Sequence, residues 1–144
     1  RKRAAIRASI QTPVGPIHMI NAHLSLFKLE RRKQLKILLG KEWLLSVPQD
    51  EPVIFCGDFN AGPLSKTYRT VSRFLTDVQK DTRNSLPLNS RPTFHSKSPL
   101  FRIDHIFVSH HVRTLNVEVQ NTPDTQTASD HLPLIADLAI KKPN

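Results

Sequence analysis

The sequence predicts an α/β layered sandwich around a mostly antiparallel or mixed sheet. Short apolar runs rich in β-branched residues outnumber helical stretches. Helices interrupt those runs irregularly, unlike a regular βαβ repeat. The 144 residues contain no internal repeat, low-complexity tract or Gly/Ser linker, and they can bury one core, so residues 1–144 are expected to form a single domain.

Ala4 to Ile10 and Ile17 to Leu24 read as two strands joined by the turn Thr12-Pro13-Val14-Gly15-Pro16, a hairpin. Leu35, Leu38, Leu39 and Trp43 recur at helical spacing, which predicts a basic helix from about Lys28 to Ser46, stopped by Pro48 and covering the hairpin or its sheet. Val53 to Cys56 is wholly apolar between Pro52 and Gly57, as expected of a central strand buried on both faces, and it runs directly into Asp58. Ser65 is placed to cap a short helix from Lys66 to about Phe74. Asp81 to Ser98 is polar and proline-punctuated, hence a loop. Ile103 to Ser109, Asn116 to Gln120 and Leu132 to Ile140 are the remaining strands.

The net charge of +9 is concentrated near the start: residues 1–42 hold ten Lys/Arg against two acids, and residues 43–144 hold eleven against ten. Such a surface attracts polyanions, either nucleic acid or anionic lipid headgroups. A solvated helix face accounts for the charge equally well. No apolar run approaches the ~20 residues of a membrane-spanning helix. The single cysteine, Cys56, excludes an internal disulfide and fits a small buried core thiol. The chain starts at Arg1 and not Met, so localisation stays open, because a targeting signal could lie upstream.

Ionisable residues stand where four strands begin or end: His23, Asp58 with Asn60, Asp104 after Arg102, and Asp130 with His131. Strand ends with their loops are where a rigid sheet presents catalytic groups. Each has a plainer reading. Asp58 and Asn60 between Gly57 and Gly62 fit a turn, and Asp130 after Ser129 fits another. Asp104, flanked by Ile103 and Ile106, resists that reading, because a partly buried carboxylate needs a partner or a metal. His131 and His23 are candidate partners. Arg102 could grip a substrate phosphate in a bidentate manner or pair with a nearby acid. His18, His95, His105, His110 and His111 fit ordinary surface or hydrogen-bonded roles. Arg91-Pro92-Thr93-Phe94 either reads substrate or is a loop anchored by Phe94.

Asn21-Ala22-His23-Leu24, Gly57-Asp58-Phe59-Asn60, Arg102-Ile103-Asp104-His105-Ile106-Phe107-Val108-Ser109 and Ser129-Asp130-His131-Leu132-Pro133-Leu134 resemble, in order and character, the downstream signature blocks of the endonuclease/exonuclease/phosphatase superfamily. The resemblance spans about residues 17–140. It implies part of a four-layered, DNase I-like α/β sandwich and hydrolysis of a phosphate ester with Mg²⁺, for which Mn²⁺ or Ca²⁺ could substitute. By the same resemblance Asp58 orients or deprotonates the attacking water, and Asn60 and His23 hold phosphate oxygens. Asp104 sets the tautomer of His131, which contacts the scissile phosphate or transfers a proton, and Asp130 helps bind the metal.

The superfamily's principal metal-binding glutamate lies upstream of these blocks, whereas the only acids before Asp50 are Glu30 and Glu42, both in the predicted helix. The chain is therefore expected to be the C-terminal portion of such a domain, weak or inactive alone, and prone to self-associate or to pair with an upstream half. Its expected partner is a phosphate-ester substrate: nucleic acid, phospholipid headgroup or small phosphodiester. A non-catalytic polyanion-binding module of the same fold, or an inactive fragment, is the alternative. The retained carboxylates favour the enzyme, since binding an anion does not call for acids facing it.

Overall fold

The computed structural model describes residues 3–80 and 91–141. Strands β1 (Ala5–Thr12) and β2 (Gly15–Ala22) form the predicted antiparallel hairpin. The turn is tighter than expected: only Pro13 and Val14 lie between the paired Thr12 and Gly15. The Thr12 hydroxyl closes it by donating to the Gly15 carbonyl at 2.6 Å.

Helix α1 (Lys28–Leu38) buries Leu35 and Leu38 as the periodicity predicts, but it ends well before Ser46. Gly40 follows the cap residue Leu39. A Cβ there would lie 3.0 Å from the Ile37 carbonyl oxygen, which accepts from the Gly40 amide N–H, and 3.1 Å from that of Lys36, so a side chain fits poorly where the chain leaves the helix. Trp43 is thus off the helix, and Leu44–Ser46 forms a separate 3₁₀ turn before Pro48. Helix α2 (Lys66–Val71) is shorter than predicted, and its Ser65 cap accepts from the Tyr68 amide at 3.1 Å.

Strand β3 (Val53–Asp58) pairs in parallel with β2 and antiparallel with β5 (Asp104–Val108), so the sheet is mixed. A two-residue strand β4 (Thr76–Asp77) completes the order β1-β2-β3-β5-β4. The last strands, β6 (Val112–Val119) and β7 (Leu134–Ile140), form a second antiparallel sheet. Neither β4 nor helix α3 (Pro123–Ala128) was expected. Helix α3 carries a Thr122/Thr125 capping box but buries no residue, so no apolar periodicity announces it. Residues 81–90 of the expected loop lie outside the described residues; 91–98 are irregular, as predicted.

Alternation along the central strands sorts the core into two faces. Phe55 and Phe107 join Ile20, Tyr68, Val71 and Leu38 on the helix side. Ile54, Ile106 and Val108 meet Val117, Leu134 and Ala136 on the β6–β7 side. The layers run helices, mixed sheet, second sheet. Burial of β3 on both faces holds only in part: Val53 and Phe55 are buried, whereas Ile54 and Cys56 are half-covered. Among the described residues only two strands cover that second face. Burial still pushes the Cys56 thiol pKa up.

Gly57 holds β3 against β2 at their functional end. Its φ is +130°, and a Cβ there would lie 2.1 Å from the Ala22 carbonyl oxygen. Gly57→Ala therefore combines a backbone conformation reserved for glycine with a clash against another strand's main chain, and is expected to destabilise by about 2–3 kcal/mol. A shifted urea midpoint with unchanged m measures this.

Candidate active site

Asp58 closes β3 and Asp104 opens β5, and the antiparallel register sets them directly opposite each other. Both lie on the face shared with Cys56 and Ile106, toward the second sheet. Two carboxylates in a cross-strand pair repel, so this corner needs compensating partners.

Those partners arrive from four loops and from the segment before β1. His23, one residue past β2, brings Nε2 to 3.1 Å from Asp58 Oδ2. The Arg3 guanidinium touches the same imidazole nitrogen, adding positive charge beside Asp58. The Asn60 amide N–H donates to Asp58 Oδ1 at 2.8 Å. The Asn60 side-chain NH₂ donates to the Leu24 carbonyl at 2.9 Å and to Asp58 Oδ2 at 3.2 Å. This turn places Asn60 at φ +47°, a left-handed conformation that asparagine tolerates better than most residues.

Asp104 is held separately. Its Oδ2 accepts from His131 Nδ1 at 2.8 Å and from the Thr93 hydroxyl. Asp104 thereby orients the His131 ring and selects the tautomer whose Nδ1 carries hydrogen. Thr93 is fully buried and Phe94 bridges to both Phe101 and His131, so the loop reading of Arg91-Pro92-Thr93-Phe94 holds, with a structural link to the site.

The electrostatics follow from these contacts. Burial raises the Asp58 pKa and the Asp104 charge adds to it, against the Asn60 amide and the His23 and His131 rings, which lower it. Burial by itself would lower His131, but the hydrogen bond and charge of Asp104, with Asp58 and Asp130, carry it above its ordinary value. A carboxylate reluctant to ionise beside an imidazole ready to hold a proton is a pairing suited to acid–base work.

Asp58, Asp104 and His131 each offer one ligating atom within 4.8 Å of the others. Two carboxylates and an imidazole suit a hard divalent cation that keeps waters and shares phosphate oxygens; they do not make a closed cage. Asp104 Oδ2 and His131 Nδ1 are already bonded to each other, which leaves Asp58 as the carboxylate most open to an ion. Asp130 is outside this trio. Its side chain is exposed, with Ser129 Oγ at 3.5 Å, although its charge still acts on His131.

Arg102 is not a substrate contact. Its side chain is 4% exposed and is ion-paired with Asp77, which is 1% exposed and also accepts from the Tyr68 hydroxyl. Pairing with an acid, the second reading of Arg102, is therefore the observed one; Arg102 lies buried beside Tyr68 because β4 carries Asp77 next to β5. Arg3 and Asp77 escaped sequence reasoning, since each sits in a segment with no motif of its own, whereas Thr93 lay in the singled-out Arg91–Phe94 segment without its bond to Asp104 being foreseen.

The remaining histidines are not members of the ligating trio, although His95 packs on Phe94 and His105 follows Asp104 directly. His18 pairs with Glu51, and the His110 and His111 rings lie against each other, tilted by 38°, with centroids 3.8 Å apart. His105 is buried under Phe59 and Tyr68 and donates from Nε2 to the Ala61 carbonyl at 2.8 Å. Burial, the largest influence, lowers its pKa to about 4. An unfolded histidine titrates near ~6.5, so between these values the unfolded chain binds a proton that the folded chain refuses. Stability is therefore expected to fall as pH drops from about 6.5 toward 4, by about 3 kcal/mol from this residue. Urea unfolding across that range, compared with His105→Gln, isolates the slope.

The sequence matches the profile of the "Endonuclease/Exonuclease/phosphatase family" over residues 3–131. It is 30% identical over 147 aligned residues to the uncharacterized protein YbhP of Escherichia coli strain K12, covering 96% of this chain and 53% of YbhP. The fold is similar to that of a functionally unknown conserved protein from Enterococcus faecalis V583, with TM-score 0.79 and 25% identity over 95% of this chain and 56% of that one. An endonuclease/exonuclease/phosphatase from Beutenbergia cavernae DSM 12333 shares the fold at TM-score 0.78 and 21% identity, over 97% of this chain and 40% of its own. The chain thus spans about half the length of the curated relatives it matches.

Proposed function

The chain belongs to the Endonuclease/Exonuclease/phosphatase family, and we propose that the polypeptide carrying it is a divalent-metal-dependent hydrolase of phosphate esters. The observation that carries this reading is the convergence of Asp58, Asp104 and His131 within 4.8 Å at the ends of strands far apart in sequence.

Asp58 is the base or orienting group for water, because it ends β3 opposite Asp104 with His131 in the same cluster, where an attacking water can be held. His131, held by Asp104, contacts the phosphate or donates the proton that the leaving oxygen needs. Arg3 supplies positive charge to non-bridging oxygens beside Asp58, and the His23 ring stands next to them as a hydrogen-bonding group. Asn60 shapes the Asp58 carboxylate and reaches a phosphate oxygen by exchanging one of its two internal bonds. Asp58, the carboxylate of the trio most open to an ion, would hold the metal, which when bound would neutralise charge on the phosphate; Asp130, exposed and outside the trio, would act there only through its charge. Mg²⁺ suits these oxygen donors best.

The test is hydrolysis by the full-length polypeptide with Mg²⁺, offered plasmid DNA, bis-p-nitrophenyl phosphate, sphingomyelin and an inositol phosphate, with Asp58→Ala and His131→Ala as controls. At least one substrate should turn over and both variants should lose that turnover. Equal, poor hydrolysis of all four by wild type and variants sinks the reading. Strand β1 lies at the sheet edge with Ile6 68% exposed, which supports pairing of this edge with an upstream half or a second copy. A stable monomer of the 144-residue chain in concentrated sedimentation runs would count against that pairing.

A further inference from the structure

On the face of the mixed sheet opposite the carboxylate–histidine cluster, helices α1 and α2 enclose a groove of about 750 Å³. Arg32 and Lys36 line one wall, one helical turn apart, and Lys66, Arg69 and Arg73 line the other. All five side chains are exposed, no acid lines the groove, and none of the five has an ion-pair partner among the described residues. Leu35 and Leu39 close the floor, and Phe74, half-exposed at 52%, stands among the lining residues.

Five unpaired like charges facing one cleft repel each other, an arrangement that a polyanion relieves. We propose that this groove is a second binding site and takes the sugar-phosphate backbone of a single-stranded nucleic acid. Three features favour that occupant over a bilayer surface. The cations form two facing rows in a concavity, whereas a membrane presents a broad surface. The apolar floor is buried, which leaves Phe74 as the one exposed ring in the groove, suited to stack on a base. The volume of about 750 Å³ is that of a small-ligand cleft, which takes a few nucleotides of one strand.

The site is independent of the proposed hydrolysis, and binding measured without metal keeps the two separable. Fluorescence anisotropy of a labelled single strand of about 12 nucleotides, in EDTA, reads it on the full-length polypeptide. Lys36→Glu/Arg69→Glu should bind at least about tenfold more weakly, and the slope of log affinity on log salt should flatten by about 1.4, the share of two phosphate contacts. Phe74→Ala should lose about fivefold, the low end of a stacking contribution. Arg113→Gln, which removes an exposed cation on β6 away from the groove, should bind as wild type. If circular dichroism shows the charge-reversed protein unfolded, the milder Lys36→Gln/Arg69→Gln pair gives the reading. Equal binding by wild type and the folded groove variant overturns the proposal, as does groove-dependent sedimentation with phosphatidylserine vesicles in a protein that ignores the oligonucleotide.

Discussion

Asp58→Asn is expected to lower phosphodiester hydrolysis by the full-length polypeptide about 10³-fold while leaving the fold as stable as before or more so. The activity loss follows from removing the proposed proton acceptor at the point where β3 ends beside Asp104. A 10³-fold loss corresponds to about 4 kcal/mol in the barrier. The stability effect follows from the sign of the pKa shift. Asp58 is raised, chiefly by burial, so its ionised form is disfavoured in the folded state. Above the unfolded carboxylate range the folded chain thus bears a penalty that the unfolded chain does not, and it grows as pH rises through the folded value. A neutral amide removes the penalty and also the repulsion from Asp104. Its carbonyl can still accept from the Asn60 amide N–H, which closes the turn. Thermal melts near neutral pH beside initial rates check both halves. A variant that loses activity and unfolds would make Asp58 a structural residue, contrary to its proposed role.

Arg102→Ala is the second large effect, and it falls on stability. The guanidinium and the Asp77 carboxylate are buried together, with the Tyr68 hydroxyl on the same oxygen. Tyr68 is itself displaced: burial, then the Asp77 charge, hold its hydroxyl above the ordinary tyrosine range. Truncating Arg102 strands the Asp77 charge among Tyr68, Phe107 and Val78, and breaking a buried pair in this way costs about 3–5 kcal/mol. The double variant Arg102→Leu/Asp77→Leu should recover much of that loss, because removing both charges leaves no unpaired group. Urea unfolding of both proteins distinguishes this from a substrate-binding Arg102, for which activity would fall with stability intact.

The division between what was legible in the chain and what was not follows the range of the forces involved. Alternation and turn chemistry are local, so the hairpin, the central β3 run, the Ser65 cap and the α/β class could be read from the residues. Local rules also set His23, Asp58, Asn60, Asp104 and His131 at strand ends, and their order along the chain carried the family resemblance. Even at this level one glycine misled: the apolar spacing through Trp43 continues past Gly40, where the backbone leaves the helix.

Partners across the fold were decided only by tertiary structure. The register of β3 on β5 sets Asp58 against Asp104 across 46 residues, and Asp104 meets His131 across 27. Two-residue β4, too short to show a pattern, delivers Asp77 to Arg102 and turns a candidate phosphate ligand into a buried ion pair. The sequence by itself determined which side chains could do chemistry and at which strand ends they stand. Which of them meet depended on strand register and layer packing, because a hydrogen bond or ion pair is specified by distances of a few ångströms that no local propensity encodes.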